Sequence, residues 1–252
     1  MSLPVCIYGY GNLGSQLFSY LESIEGVQLS VISENATLRD NNRRTTLEKL
    51  SDGTLVFLCV PDSVVHDLIG QIPDTCIPII CSGAVHIPDD KKKFIGVWYP
   101  LYSFKKGQKA DWEKVPIFCE ANDKKVEGVL QLLNGILGKT AFWIDSASRS
   151  KIHLGAVFAN NFTNALLMAT EEVLSDFSKE EVLDALYPII DQTITRWKEG
   201  GAKQFQTGPA VRGDKKTIDS HLEMMNNYIE EKNLYIIMTK YINKKINKYQ
   251  KN

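Results

Sequence analysis

The string Gly9-Tyr10-Gly11-Asn12-Leu13-Gly14 is G-x-G-x-x-G, and it joins two segments of different periodicity. Before it, Leu3 to Tyr8 is a short apolar run bounded by glycine, the pattern of a buried strand. After it, Leu13, Leu17, Leu21 and Ile24 recur at helical spacing. In such a turn the first glycine permits the tight bend and the second lets backbone approach a pyrophosphate. The third lets the helix pack closely on the strand. An anion there meets unpaired N–H groups and the positive end of the helix dipole. The alternative is a glycine turn that holds no ligand.

The alternation continues. Val27 to Ile32 is strand-like, Thr54 to Val60 is a strong central strand ended by Pro61, and Asp62 to Ile69 is helical. Ile77 to Cys81 and Val115 to Cys119 read as strands. Val126, Val129, Leu130, Leu133 and Leu137 form a helical stripe, and Ala141 to Ile144 a last strand. This predicts an α/β Rossmann domain, a doubly wound and mostly parallel sheet. After Asp145 strand signals cease. The pattern predicts helices over Ser146 to Ser175, over Lys179 to Trp197 with a break or kink near Pro188, over Asp214 to Glu231 and over Leu234 to Lys248. Lys198 to Arg212 reads as loop. The expected division is a dinucleotide-binding domain over 1–147 and an all-α domain over 148–252.

A formal net charge of -1 argues against a general nucleic-acid binder. No apolar window approaches the roughly 18 residues that span a bilayer. The first eight residues lack the basic and apolar regions of a signal peptide. Five scattered cysteines without a CxxC spacing suggest neither a disulfide framework nor a metal site. A cytoplasmic protein without metal is expected.

Glu34 stands 20 residues beyond Gly14, where an acid can accept the ribose 2′-hydroxyl of NAD. Ser33 beside it, with Arg39, Arg43 and Arg44 following, suits the 2′-phosphate of NADP, and both cofactors stay open. Two further loops fall where open α/β sheets bind ligands, at Cys59-Val60-Pro61-Asp62 and Cys81-Ser82-Gly83-Ala84. Val60, Pro61, Ser82 and Gly83 are therefore candidate cofactor contacts. Otherwise these are plain strand-to-helix turns, with Asp62 or Ser63 as N-cap.

Val60-Pro61-Asp62, Ser82-Gly83-Ala84, Pro100-Leu101 and Ser103-Phe104 occur in the order of one particular family. So do His153-Leu154-Gly155-Ala156-Val157-Phe158-Ala159-Asn160-Asn161 and Thr207-Gly208-Pro209-Ala210-Val211-Arg212-Gly213-Asp214. Over nearly its whole length the chain resembles the bacterial proteins that pair a Rossmann-like domain with the helical domain of unknown function 2520. Those are described as candidate NADP oxidoreductases. By fold the family is similar to the group containing pyrroline-5-carboxylate reductase and 6-phosphogluconate dehydrogenase, which implies hydride transfer without naming a substrate. The same likeness implies a homodimer through the C-terminal helices. One departure is Tyr99-Pro100-Leu101, where the family has His-Pro-Leu. A catalytic role of that histidine is here either taken by Tyr99 or lost.

At 3.6 residues per turn His153, Val157, Asn160 and Asn164 share one helix face. A histidine and two asparagines are poor choices for an apolar core, since each unpartnered buried group costs about 1–3 kcal/mol. His153 can serve as general acid and Asn160 as orienter of a substrate oxygen. The alternative for His153 is a satisfied bridge between helices. Lys151 is a weaker candidate, drawn from related hydroxyacid dehydrogenases. Arg212 suits a substrate carboxylate or phosphate, unless it staples to Asp214, itself the expected N-cap of the next helix. His221 reads as a surface or interface residue. Together these predict an NADP-dependent (alternatively NAD-dependent) oxidoreductase acting on a small carbonyl or imine between the two domains, with Tyr99 as reserve acid. The rival is a dinucleotide-binding regulatory or scaffold protein without turnover.

Overall fold

A computed structural model describes residues 2–33, 41–89 and 93–247. By contacts the chain forms two compact units, 1–160 and 161–252. In the first, seven strands lie in the order β2-β1-β3-β4-β5-β6-β7. They are β1 Leu3–Tyr8, β2 Val27–Ile32, β3 Leu55–Leu58, β4 Ile77–Ile80, β5 Gly96–Pro100, β6 Ile117–Ala121 and β7 Ala141–Trp143. The pairs from β2 to β5 are parallel, β5 and β6 are antiparallel, and β6 and β7 are parallel again. The fold is thus a mostly parallel Rossmann sheet followed by helices.

Period-2 alternation along the strands separates two cores on the two faces of the sheet. Val5, Ile7, Leu55, Phe57 and Trp98 pack with Leu17, Phe18 and Leu21 of α1 (Asn12–Leu21), and with Val126, Leu130 and Leu133 of α3 (Lys124–Ile136). Cys6, Val56, Leu58, Ile80, Val97 and Tyr99 pack with Val65 and Ile69 of α2 (Asp62–Gln71) and with Ile152 of α4 (Ser146–Ala156). Every residue of β3 and β4 is buried, as central parallel strands covered on both sides must be.

β5 corrects the sequence reading, which treats Tyr99-Pro100-Leu101 as loop. Tyr99 pairs with Phe118, and Pro100 with Ile117 at the strand's end, where a missing N–H does not interrupt the ladder.

The helix predicted over Ser146 to Ser175 divides into α4, a π-helical segment Val157–Phe162, and α5 (Thr163–Val173). The second unit continues with α6 (Lys179–Gly200), opened by a capping box of Ser178 and Glu181 and unbroken at Pro188. The predicted loop over 198–212 is shortened at both ends, by α6 and by α7 (Pro209–Arg212). The helix expected over 214–231 ends earlier: α8 is Lys215–Met224 and α9 Ile229–Asn247. Met225-Asn226-Asn227-Tyr228 turns between them, because asparagine side chains favour turns, and Glu230 and Glu231 then suit the start of α9. Among the described residues no helix is long and apolar enough to cross a membrane.

Candidate active site

The strand order reverses between β1 and β3, and in open α/β sheets ligands bind at the carboxyl ends of strands at such a point. The three glycines of the turn meet different surroundings there. Gly9 has φ +98°, and a methyl on it would overlap the carbonyl oxygen of Cys59 and lie 3.1 Å from Val60 Cγ1. A methyl on Gly14 would overlap the Gly9 carbonyl oxygen and lie 3.1 Å from Cys59 Cβ. A methyl on Gly11 meets nothing within 4 Å among the described residues. Gly11 is also the N-cap of α1, with no side-chain cap and no acid in the first turn. The turn therefore presents an uncapped helix N-terminus beside open space, and it fits the pyrophosphate of a dinucleotide.

The other residues of the turn have separate duties. Leu13 packs against the core. Tyr10 packs edge-on against Phe18 at 5.7 Å, with the Lys106 ammonium 5.6 Å from its ring. Asn12 Oδ1 accepts from the Lys106 N–H at 3.1 Å, and Gln16 bonds Lys105 O and the Ala110 N–H, so the segment after β5 is tied to α1. Beyond β2, Arg44 Nη1 donates to Ser33 O at 3.2 Å. Arg43 lies over Phe18 and 3.6 Å from a Glu22 oxygen. Glu34 and Arg39 lie outside the described residues. Pro61, rather than Asp62 or Ser63, takes the N-cap position of α2, so the loop after β3 has no side-chain cap.

The loop after β4 is held by Ser82, whose Oγ accepts from the Ala84 and Val85 N–H groups at 3.0 and 3.3 Å. Gly83 lies against His153 of α4, and a methyl on it would come within 2.7 Å of the ring's Cγ. His153 Nδ1 is 3.0 Å from Tyr99 Oη. Burial pushes the Tyr99 phenol up to about 12; the Arg149 charge opposes that and Asp62 adds to it. The phenol therefore keeps its proton at neutral pH, and the Tyr99 hydroxyl and His153 Nδ1 share one hydrogen bond.

Gly83, Tyr99 and His153 are thus brought together. Asn160 is exposed in the π segment. The stripe of His153, Val157, Asn160 and Asn164 assumes one uninterrupted 3.6 period. A turn of i→i+5 bonding inserts an extra residue and rotates the succeeding turns of helix by about 100°. Arg212 is exposed at the end of α7 in the second unit. Asp214 caps α8 through the Thr217 N–H and hydroxyl, which holds its carboxyl below the usual range. His221 pairs with Tyr235 Oη at 2.9 Å.

Sequence reasoning passes over Arg149. It is fully buried, ion-paired to Glu120 of β6 and bonded to Val85 O and Ser146 Oγ. Its partners Glu120 and Val85 lie 29 and 64 residues away in the chain, so no local signal marks it.

The sequence profile of the domain of unknown function 2520 matches residues 115–242. No curated protein sequence matches the chain. Among solved structures, a candidate NADP oxidoreductase from Bacteroides fragilis is 25% identical, with a TM-score of 0.78 over 96% of this chain and 98% of that one. A reductive aminase from Aspergillus terreus, in complex with NADPH and ethyl-5-oxohexanoate, is similar in fold at 11% identity, with a TM-score of 0.69 over 99% and 95% of the two chains. Pyrroline carboxylate reductase from Plasmodium falciparum, with NADP bound, gives 0.59 at 10% identity over 96% and 100%. The match to the family profile spans half the chain, and the protein belongs to the domain-of-unknown-function-2520 family.

Proposed function

We propose that the protein is an oxidoreductase that uses NADP(H), with NAD(H) as the lesser alternative, to interconvert a small carbonyl or imine and its reduced form. The carrying observation is the glycine turn: Gly9 and Gly14 are closed by packing, while Gly11, at the uncapped start of α1, has open space beside it among the described residues. Arg44 beside Ser33 at the end of β2 suits a 2′-phosphate. The neighbours from A. terreus and P. falciparum hold NADPH and NADP, and the B. fragilis protein is described as an NADP oxidoreductase.

When bound, the nicotinamide supplies hydride to the substrate carbon. With Tyr99 Oη donating to Nδ1, His153 would pass its Nε2 proton to the substrate oxygen or nitrogen while Tyr99 refills Nδ1, and solvent would return a proton to the phenol before the next turnover. The tyrosine in place of the family's loop histidine thus backs the histidine on α4. Gly83, Tyr99 and His153, all within the first compact unit, make up the proposed set, with 1–147 as the cofactor domain and 148–252 as the substrate and dimerisation domain. Large apolar side chains exposed in the helical half, among them Met168, Tyr187, Ile189, Trp197 and Ile237, suit a second copy of this chain. Titration with NADPH and NADH, followed by a carbonyl and imine screen, tests the reading. Tight NADPH binding with turnover lost in His153→Gln supports it. Binding without any turnover supports a regulatory protein, and no binding ends both.

A further inference from the structure

A buried guanidinium is an expensive way to pin a helix, because an apolar side chain of similar size fills the same space without desolvating two charges. Arg149 is nevertheless fully buried, and three separate pieces of the fold meet on it. Its Nη1 pairs with Glu120 of β6 and its Nη2 reaches Val85 O in the loop after β4. Ser146, at the start of α4, donates to both oxygens of Glu120 at 2.9 Å, and its Oγ lies 3.3 Å from Nη2. The same loop is tied again where His86 Nε2 meets Ser150 Oγ at 3.1 Å. One helical turn beyond Arg149, on the same face of α4, stands His153. Its ring is wedged against Gly83 of that loop and bonded to Tyr99 of β5. The arginine thus joins α4, β6 and the 82–87 loop one turn away from the His153 ring.

We propose that Arg149, with Glu120, is a positioning residue that holds the His153 imidazole against Tyr99 and Gly83 in a single tautomer, ready to donate from Nε2. The catalytic consequence rests on the oxidoreductase reading above; the positioning itself does not. Arg149 has no role as proton donor, and its Nε has no hydrogen-bond partner among the described residues.

The test is the Arg149→Met/Glu120→Gln double variant, which removes both charges at similar side-chain length, beside Arg149→Lys and Ser146→Ala. Nitrogen-15 NMR of the imidazoles reads the tautomer of His153, identified by difference against His153→Gln. Wild type is expected to show the Nε2–H form alone. The double variant and Arg149→Lys should show both tautomers, since lysine cannot span Glu120 and Val85 O together. Ser146→Ala, which keeps both charges, should shift the same way by less, and decides the matter should the double variant fail to fold. NADPH affinity should stay within about twofold, because no residue of the glycine turn is touched, while kcat on any substrate found falls about 100-fold with KM little changed. Variants that melt earlier yet keep a single tautomer overturn the proposal, as does a mixture in wild type. A tautomer lost on mutation in a protein that turns over nothing upholds the positioning and sinks the oxidoreductase reading instead.

Discussion

Gly11 and Gly14 are three residues apart in one motif, yet the structure predicts opposite consequences for substituting them. Gly11 is an N-cap in extended backbone, φ -80°, with nothing among the described residues within 4 Å of a new methyl. Serine is a better N-cap than glycine, by a few tenths of a kcal/mol. Gly11→Ser should therefore fold at least as well as wild type. Its hydroxyl, however, occupies the space and the N–H groups that a pyrophosphate needs. Losing two charge-assisted hydrogen bonds of about 1.5 kcal/mol each weakens NADPH binding by about 3 kcal/mol, or roughly 100-fold. Gly14→Ala drives a methyl into the Gly9 carbonyl and to 3.1 Å from Cys59 Cβ. Overpacking against backbone costs about 3 kcal/mol, from which better helix propensity recovers about 1 kcal/mol. At about 2–4 °C per kcal/mol for a chain of this size, Tm drops by about 4–8 °C. Thermal melts by circular dichroism and NADPH titration by nicotinamide fluorescence measure both. A Gly11→Ser protein that binds NADPH within threefold of wild type, or that melts below Gly14→Ala, refutes the assignment of the open glycine to the ligand.

Three further outcomes are expected. Arg44→Ser should raise the Kd for NADPH by about 10–100-fold, the worth of one or two charge-assisted contacts, and leave NADH within about twofold in parallel titrations. Gly83→Ala places a methyl 2.7 Å from the His153 ring, so turnover should fall by a larger factor than NADPH affinity, as read by kcat beside the binding titration. In an alkaline titration of phenolate absorbance, one tyrosine should lag to about pH 12, and Tyr99→Phe should remove that step. A phenol whose folded-state value is raised contributes stability below its unfolded value near 10, and loses it as pH climbs through the folded value. Melts between pH 9.5 and 12 should therefore decline more steeply for wild type than for Tyr99→Phe.

The features legible in the sequence are those that neighbours along the chain decide. β3 and β4 are continuous apolar runs because parallel strands are covered on both faces, and the glycine turn announces itself through the strand and helix around it. β5 escapes a reading of the sequence because its five residues, Gly96 to Pro100, begin and end on residues that break strands elsewhere. Its pairing is fixed by Phe118 and Cys119, some twenty residues on. The π segment escapes it because nothing in Val157-Phe158-Ala159-Asn160-Asn161-Phe162 departs from α-helical composition. With it goes the supposed alignment of Asn160 and Asn164 with His153.

The candidate site shows the same division more sharply. His153 stands out because a histidine followed by asparagines at helical spacing is an odd choice for an apolar core. Arg149 looks like any surface arginine on a helix, and only the arrival of Glu120 and Val85 makes it a buried ion. A sequence therefore displays the group proposed to perform chemistry more readily than the group proposed to aim it. The first needs an unusual side chain, whereas the second needs only a common one in an unusual place. Tyr99 adds a complication: the family resemblance read in the sequence implies a histidine at this position, and a search for that histidine alone would pass over the pair. The geometry answers differently, since the phenol of Tyr99 lies 3.0 Å from the one imidazole that α4 delivers to the loop after β4. Tyr99→His should then keep the pair's hydrogen bond at neutral pH but lower the upper pH limit of activity. A variant whose pH profile matches wild type would show that the residue at position 99 is not in the proton path.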